Sequence, residues 1–262
     1  MTEVENALLI LTRDYKQVQK IIKQLILRNG YLLEQKGGMS MIDKYFDYED
    51  KSLKRQKIEL RLRFIEGGMS KITLKVLEKE TQAHSERVEI ERPWSCQSFD
   101  EIMRELSFYL GGQAFEHSDC NINEDPENTL INAKFKKIQE RKTERNIINA
   151  INSRSNELEF EFAIDRTFYH LNSSCKHYGV MELEIESKKT SNYEILDRLV
   201  NELISDHESI FRLWSNSKLA TGIAIEALLS GMGLKAEDFD NGGLLTLSGA
   251  EKIESFIKIS PI

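Results

Sequence analysis

Alternation of charged and apolar side chains along short runs constrains this chain more than any other feature. The clearest runs are Glu59-Leu60-Arg61-Leu62-Arg63, Arg87-Val88-Glu89-Ile90-Glu91, Glu157-Leu158-Glu159-Phe160-Glu161 and Glu182-Leu183-Glu184-Ile185-Glu186. Successive side chains of a β-strand point to opposite faces. Each run therefore has one apolar face and one face of two or three charges. A single wet face is ordinary in an antiparallel sheet. Here the pattern recurs in strand after strand, with both signs of charge.

The remaining chain supplies helices around those strands. Residues 2–12 read as a strand and 14–29 as an amphipathic helix with Val18, Ile21, Ile22, Leu25 and Ile26 on one face, ended by Gly30. Strands are expected near 31–36, 41–48, 57–66, 70–78 and 85–92, with a hairpin turn at Glu66-Gly67-Gly68. Pro93 stops the last of these, and Phe99 to Leu110 reads as a helix ending at Gly111-Gly112. Residues 113–130 are acidic, Asn-rich and aperiodic, as an exposed loop would be. Strands resume at 135–149, 157–170 and 178–187, followed by helices at 191–206 and 217–230. The weakly patterned stretch 231–262 reads as an extension of a domain spanning 1–230. The class is α+β. About eight antiparallel strands with one charged face can curl so that the charges line a solvated lumen, with helices packed outside. A flat sheet with one wet face is the competing arrangement.

Composition narrows the function classes. With 262 residues and a net charge of −7, the chain is not a broad electrostatic binder of nucleic acid. It has no apolar run long enough to span a bilayer, so no membrane partner is expected and a cytoplasmic location is. The three cysteines, Cys96, Cys120 and Cys175, are widely spaced, which argues against a disulfide framework or a zinc site. The five histidines have no metal-site spacing, and neither a serine-nucleophile elbow nor a phosphate-binding GxxxxGK[ST] loop is present.

Ordered motifs then give a specific resemblance. Glu3-Val4-Glu5-Asn6-Ala7, Tyr45-Phe46-Asp47 with Leu53 and Leu60-Arg61-Leu62-Arg63, Thr73-Leu74-Lys75, and Arg87-Val88-Glu89-Ile90-Glu91 follow one another. Arg141 and Arg145, Asp165, Glu184-Ile185-Glu186 and Ser217-Lys218 complete the series. In that order they resemble the CYTH superfamily, the triphosphate tunnel metalloenzymes, over roughly residues 3–230. This group includes class IV adenylate cyclases, thiamine triphosphatases and inorganic triphosphatases. The resemblance implies a closed eight-stranded antiparallel β-barrel and metal-dependent hydrolysis of an inorganic or organic triphosphate. Two alternatives stay open: cyclisation of ATP to cyclic AMP, and a polyphosphate- or nucleotide-binding module with weak catalysis. The chain departs from the family at the first motif, where Ala7 stands in place of the signature lysine.

Residue chemistry assigns the same roles. Arginine forks and lysine ammonium groups bind phosphate oxygens, so Arg61, Arg63, Lys75, Arg87, Arg141, Arg145 and Lys218 are substrate-binding candidates. Arg61, Arg63, Lys75 and Glu89 are the candidates for a catalytic role. For any one arginine taken alone, pairing with a nearby glutamate is the better reading. Hard cations such as Mg²⁺ or Mn²⁺ take oxygen ligands, for which Glu3, Glu5, Asp165, Glu184 and Glu186 are the candidates, with Glu89 and Glu91 behind them. For Glu157, Glu159 and Glu161 a plain solvent-facing edge is the competing reading, and it is the better one for Glu157. The expected partner is a small-molecule triphosphate, and a homodimer is compatible with the sequence.

Overall fold

The computed structural model describes residues 2–80, 85–112, 120, 125–171, 177–189 and 192–259, with side chains for all of these except 2, 3, 78–80 and 85–87. Among the described residues, nine strands form one antiparallel sheet. They are β1 (Thr2–Ile10), β2 (Tyr31–Asp47), β3 (Ile58–Ile65), β4 (Lys71–Glu80), β5 (Ser85–Pro93), β6 (Lys136–Asn152), β7 (Leu158–His170), β8 (Tyr178–Ser187) and β9 (Phe211–Leu213). Their order is β5-β4-β3-β2-β6-β7-β8-β1-β9. In addition β1 pairs with β5, from Thr2↔Val88 to Glu5↔Ser85. The class is therefore α+β with a large antiparallel sheet, and the short β9 adds a ninth strand to the eight expected.

The helices are α1 (Tyr15–Arg28), α2 (Ser52–Arg55), α3 (Cys96–Tyr109), α4 (Pro126–Asn132), α5 (Tyr193–Asp206), α6 (Lys218–Ser230) and α7 (Leu247–Ile259). Alternation explains where they sit. In β8, Leu183 and Ile185 turn to the face opposite Glu182, Glu184 and Glu186, and both are fully buried. Val18, Ile22, Leu25 and Ile26 of α1 and Leu196, Leu199 and Leu203 of α5 cover that apolar face of β1, β6, β7 and β8. Phe99, Ile102 and Leu106 of α3, with Leu130 of α4, cover Leu60 and Leu62 of β3 and Ile72 and Leu74 of β4. A third cluster joins Ala224 and Ile225 of α6 and Ala250 and Ile253 of α7 to Leu9, Tyr169, Val180 and Trp214. By strand parity Leu9 and Tyr169 share a face with Glu5 and Asp165. The third cluster therefore packs at one end of the charged face rather than behind it.

The two strands expected at 31–36 and 41–48 are one long β2, continuous through a bulge at Gln35/Gly37 where Gly37 has φ +89°. The expected loop at 113–130 contains α4 at its end, while 113–119 and 121–124 lie outside the described residues. A disulfide joins Cys96 and Cys120, with their Cα atoms 5.4 Å apart. Spacing in sequence does not reveal it, because the fold brings together residues separated by 24 positions. Among the described residues, no helix is long and apolar enough to cross a membrane.

Candidate active site

The charged faces of β1 to β8 converge on one cavity of about 240 Å³. Strand pairing dictates the convergence. Tyr45 lies opposite Arg61, Asp43 opposite both Arg63 and Arg141, Arg145 opposite Asp165, and Glu5 opposite Glu186. Side chains at paired positions share a face, so residues up to about 180 positions apart in sequence meet.

One half of the cavity is built around Asp43. Its buried carboxylate accepts two hydrogen bonds from Arg63, from Nε at 2.7 Å and Nη2 at 2.9 Å, and a third from Arg141 Nη2 at 3.2 Å. Burial alone would push this carboxyl up, but Arg63, Arg61 and Arg141 hold it well below the usual range. The Arg141 guanidinium also lies 4.6 Å above the Tyr45 ring and donates to its hydroxyl. Arg61 Nη2 lies 3.3 Å from both Thr73 Oγ1 and Glu89 Oε1, and Glu89 pairs with Lys75 at 2.7 Å. Three buried donor atoms, Arg61 Nε and Arg141 Nε and Nη1, have no hydrogen-bond partner among the described residues.

The other half is built around Asp165, which is fully buried. Arg145 donates to it from Nε at 2.7 Å and from Nη2 at 2.5 Å, and Lys218 Nζ lies 3.1 Å away. Arg145 and Lys218 both also pair with Glu184. Despite burial, Lys218 and Arg145 hold the Glu184 carboxyl well below its usual range. Glu182 differs: burial foremost, offset in part by Lys218 and reinforced by Glu184, pushes its carboxyl up. Lys218 Nζ is 3.2 Å from Glu182 Oε2, yet neither carboxylate oxygen has an aligned donor among the described residues.

Lys218 reaches the cavity because α6 starts there. Ser217 caps the helix by accepting from the Ala220 amide at 3.1 Å. Tyr169 Oη donates to the Lys218 carbonyl and Gln139 Nε2 to the Leu219 carbonyl, each at 3.0 Å. Ala7 lies opposite Glu184 in the β1–β8 pairing, and the cations that contact Glu184 come from α6 and β6 rather than from β1.

A third group, Glu5, Glu161 and Glu186, occupies paired positions on β1, β7 and β8. Burial, then the neighbouring Glu161 and Glu5 charges, raise the Glu186 carboxyl against the lowering effect of Lys188, whose Nζ lies 2.7 Å away. Among the described residues no three of these carboxylates converge tightly enough to form a finished metal site. Their donor chemistry nevertheless fits a hard divalent cation, which would relieve the repulsion.

The structure thus brings together Glu5, Arg61, Arg63, Lys75, Glu89, Arg141, Arg145, Asp165, Glu184, Glu186 and Lys218 around one cavity. The side chains of Glu3 and Arg87 lie outside the described residues, although their backbones are paired across β1 and β5. Asp43 and Tyr45 were not among the sequence candidates, and Glu182, which shares the face of Glu184 and Glu186, was given no role there. Parity could have found the first two, since Asp43 and Tyr45 alternate on β2. Asp47, although it sits in the Tyr-Phe-Asp motif, instead accepts the amides of Leu53 and Lys54 and fixes α2.

A CYTH domain profile matches residues 11–223. The chain belongs to the CYTH family. Among solved structures, this CYTH protein resembles a Hippeastrum protein, an adenylyl cyclase candidate with a dominant triphosphatase activity. The two share 14% identity at a TM-score of 0.51, over 86% of this chain and 96% of that one. An adenylate cyclase candidate from Bacillus halodurans follows at 16% identity and a TM-score of 0.44, covering 83% of this chain and 95% of that one. The Mimivirus capping enzyme triphosphatase has 11% identity and a TM-score of 0.34, covering 78% and 89%. No curated protein sequence matches the chain. The Hippeastrum likeness bears on the fold of the CYTH chain and not on its substrate.

Proposed function

We propose that this CYTH protein is a metal-dependent triphosphatase. It would hydrolyse a phosphoanhydride bond of inorganic triphosphate or of an organic triphosphate, inside a tunnel formed as the sheet closes through β1 and β5. The pairing of β1 with both β8 and β5 supports the closure. The reading is carried by the unmatched donors: Arg61 Nε and Arg141 Nε and Nη1 are buried on residues that line the cavity, without partners among the described residues. Burying donors unpaired is costly, and an anion rich in oxygens satisfies them.

Charge balance supports the metal requirement. Nine carboxylates and six cationic side chains are among the described residues lining the cavity, a formal surplus of three negative charges. A triphosphate entering alone would be repelled, so divalent cations must arrive with it. Glu5 and Glu186, with Glu3, are the residues that would hold Mg²⁺ or Mn²⁺. When bound, such a cation neutralises phosphate charge and lowers the pKa of a bound water. Arg63 and Arg141 are already oriented by Asp43, and Arg61 and Lys75 by Glu89, so phosphoryl oxygens meet donors that need little reorganisation. Arg145 and Lys218 perform the same service beside Asp165 and Glu184.

The test offers purified protein with Mg²⁺ or Mn²⁺ inorganic triphosphate, thiamine triphosphate and ATP, and measures both phosphate and cyclic AMP. Phosphate release is expected, and Arg61→Ala should reduce it by roughly tenfold or more, as loss of a charge-stabilising donor commonly does. Cyclic AMP from ATP as the sole product would replace the hydrolase reading with the cyclase. Binding without turnover would leave a binding module, the outcome that Ala7 favours.

A further inference from the structure

We propose that the C-terminal helix completes a pocket for the organic group of a triphosphate ester, making this chain select an ester over inorganic triphosphate. The inference rests on the triphosphatase reading and deepens it by naming the substrate class.

A second cavity, of about 310 Å³, adjoins the charged one. Glu59, Lys75 and the segment Ser215-Asn216-Ser217 line both, so a ligand whose phosphates are held in the first reaches directly into the second. The two differ in chemistry. Half of the residues lining the second cavity are apolar, among them Leu77 from β4, Ile138 from β6, Ile223 from α6 and Ile257 from α7. Exposed Lys54 and Lys57 stand at its rim. Inorganic triphosphate offers nothing to cover such a wall. An ester of a ring-bearing alcohol, such as a nucleoside, covers it with the ring faces and presents its polar edges to Asn216 and the lysines.

The contribution of α7 is specific to this chain's own C-terminal segment, which lies beyond the residues matched by the family profile. Ile253 is fully buried against the domain. Ile257 follows it by four residues, hence on the same helix face, and projects past the buried contact to the cavity wall. Docking of α7 and shaping of the pocket are therefore one event.

The test compares kcat/KM for inorganic triphosphate, ATP and thiamine triphosphate in the full chain and in Ile257→Trp, which fills the pocket while leaving the charged residues in place. The wild type is expected to prefer at least one ester to inorganic triphosphate. The variant should raise the KM for that ester by roughly tenfold or more, with inorganic triphosphate turnover and melting temperature unchanged. Leu77→Trp fills the same pocket from β4 and gives the same readout if Ile257→Trp loosens α7. Preference of the wild type for inorganic triphosphate over both esters, or equal effects of both variants on all three substrates, would overturn the proposal while the triphosphatase reading stands. If the wild type turns over none of the three, the triphosphatase reading fails. Calorimetric binding of the same compounds then decides the pocket: tighter binding of an ester that both variants weaken supports it, and equal affinities sink it.

Discussion

At the scale of single residues, the site consists of charges whose partners are unequal. Asp43 and Asp165 each face two or more cations at hydrogen-bond distance, whereas Glu182 is 1% exposed with neither oxygen aligned to a donor. Its raised carboxyl makes the fold depend on pH in a definite direction. A group whose folded-state pKa is raised contributes stability that is fully present below its unfolded value, and that contribution is lost as pH rises through the folded value. Glu182→Gln carries no charge at any pH and keeps the side-chain volume. At pH 8 it should therefore melt above the wild type, by about 2–4 °C for each kcal/mol released. The gap should shrink as the pH falls towards the ordinary glutamate range. Identical melting curves at both ends of that range would mean that Glu182 is adequately paired. Why parity alone did not single out this residue is plain: Glu182, Glu184 and Glu186 look alike in sequence. Only Lys218 and Arg145, arriving from α6 and β6, distinguish them.

At the scale of elements, α6 is the part whose position the site depends on most. Its first residue is Lys218, and its flank is held by Gln139 and Tyr169 through the carbonyls of Leu219 and Lys218. Gly222 permits the contact: a Cβ there would lie 2.4 Å from Gln139 Nε2 and 2.5 Å from the Tyr169 ring. Gly222→Ala improves helix propensity by about 1 kcal/mol, yet it forces the helix away from β6 and β7. Urea unfolding should show a net loss of about 1–3 kcal/mol, as overpacking usually does, with weaker triphosphate binding as Lys218 is displaced. A net gain in stability would show that the interface accommodates the methyl group. A helix at 217–230 was legible in sequence, but its approach to two particular side chains was not.

At the scale of the whole molecule, residues after 230 are part of the same packing. Ile253 and Ala250 of α7 join Leu9 of the first strand, Val180 of β8 and Trp214 in one cluster. Ile253→Ala should cost about 2–5 kcal/mol in a single cooperative transition, the usual range for truncating a buried aliphatic side chain. An early separate transition confined to the C-terminal segment would instead mark α7 as an independent unit. Sequence reading placed no helix there, because the stretch after residue 230 is only weakly patterned and carries Gly249 in what becomes the first turn of α7. The structure gives the reason for that glycine: a Cβ would lie 2.5 Å from the Asp238 carbonyl.

Which way each side chain faces was already legible along the chain. Alternation with a period of two placed the charges on one side of the strands and the aliphatic residues on the other, and the period of 3.6 placed Val18, Ile22 and Leu25 of α1 on the face that covers them. Tertiary structure alone decided which charges meet. Register joined Asp43 to Arg63 and Arg141, helix docking delivered Lys218 to Glu184 opposite Ala7, and the fold drew Cys96 and Cys120 into a disulfide. The physical reason is that side-chain direction follows from local backbone geometry, whereas strand register and helix docking depend on contacts between residues far apart in the chain.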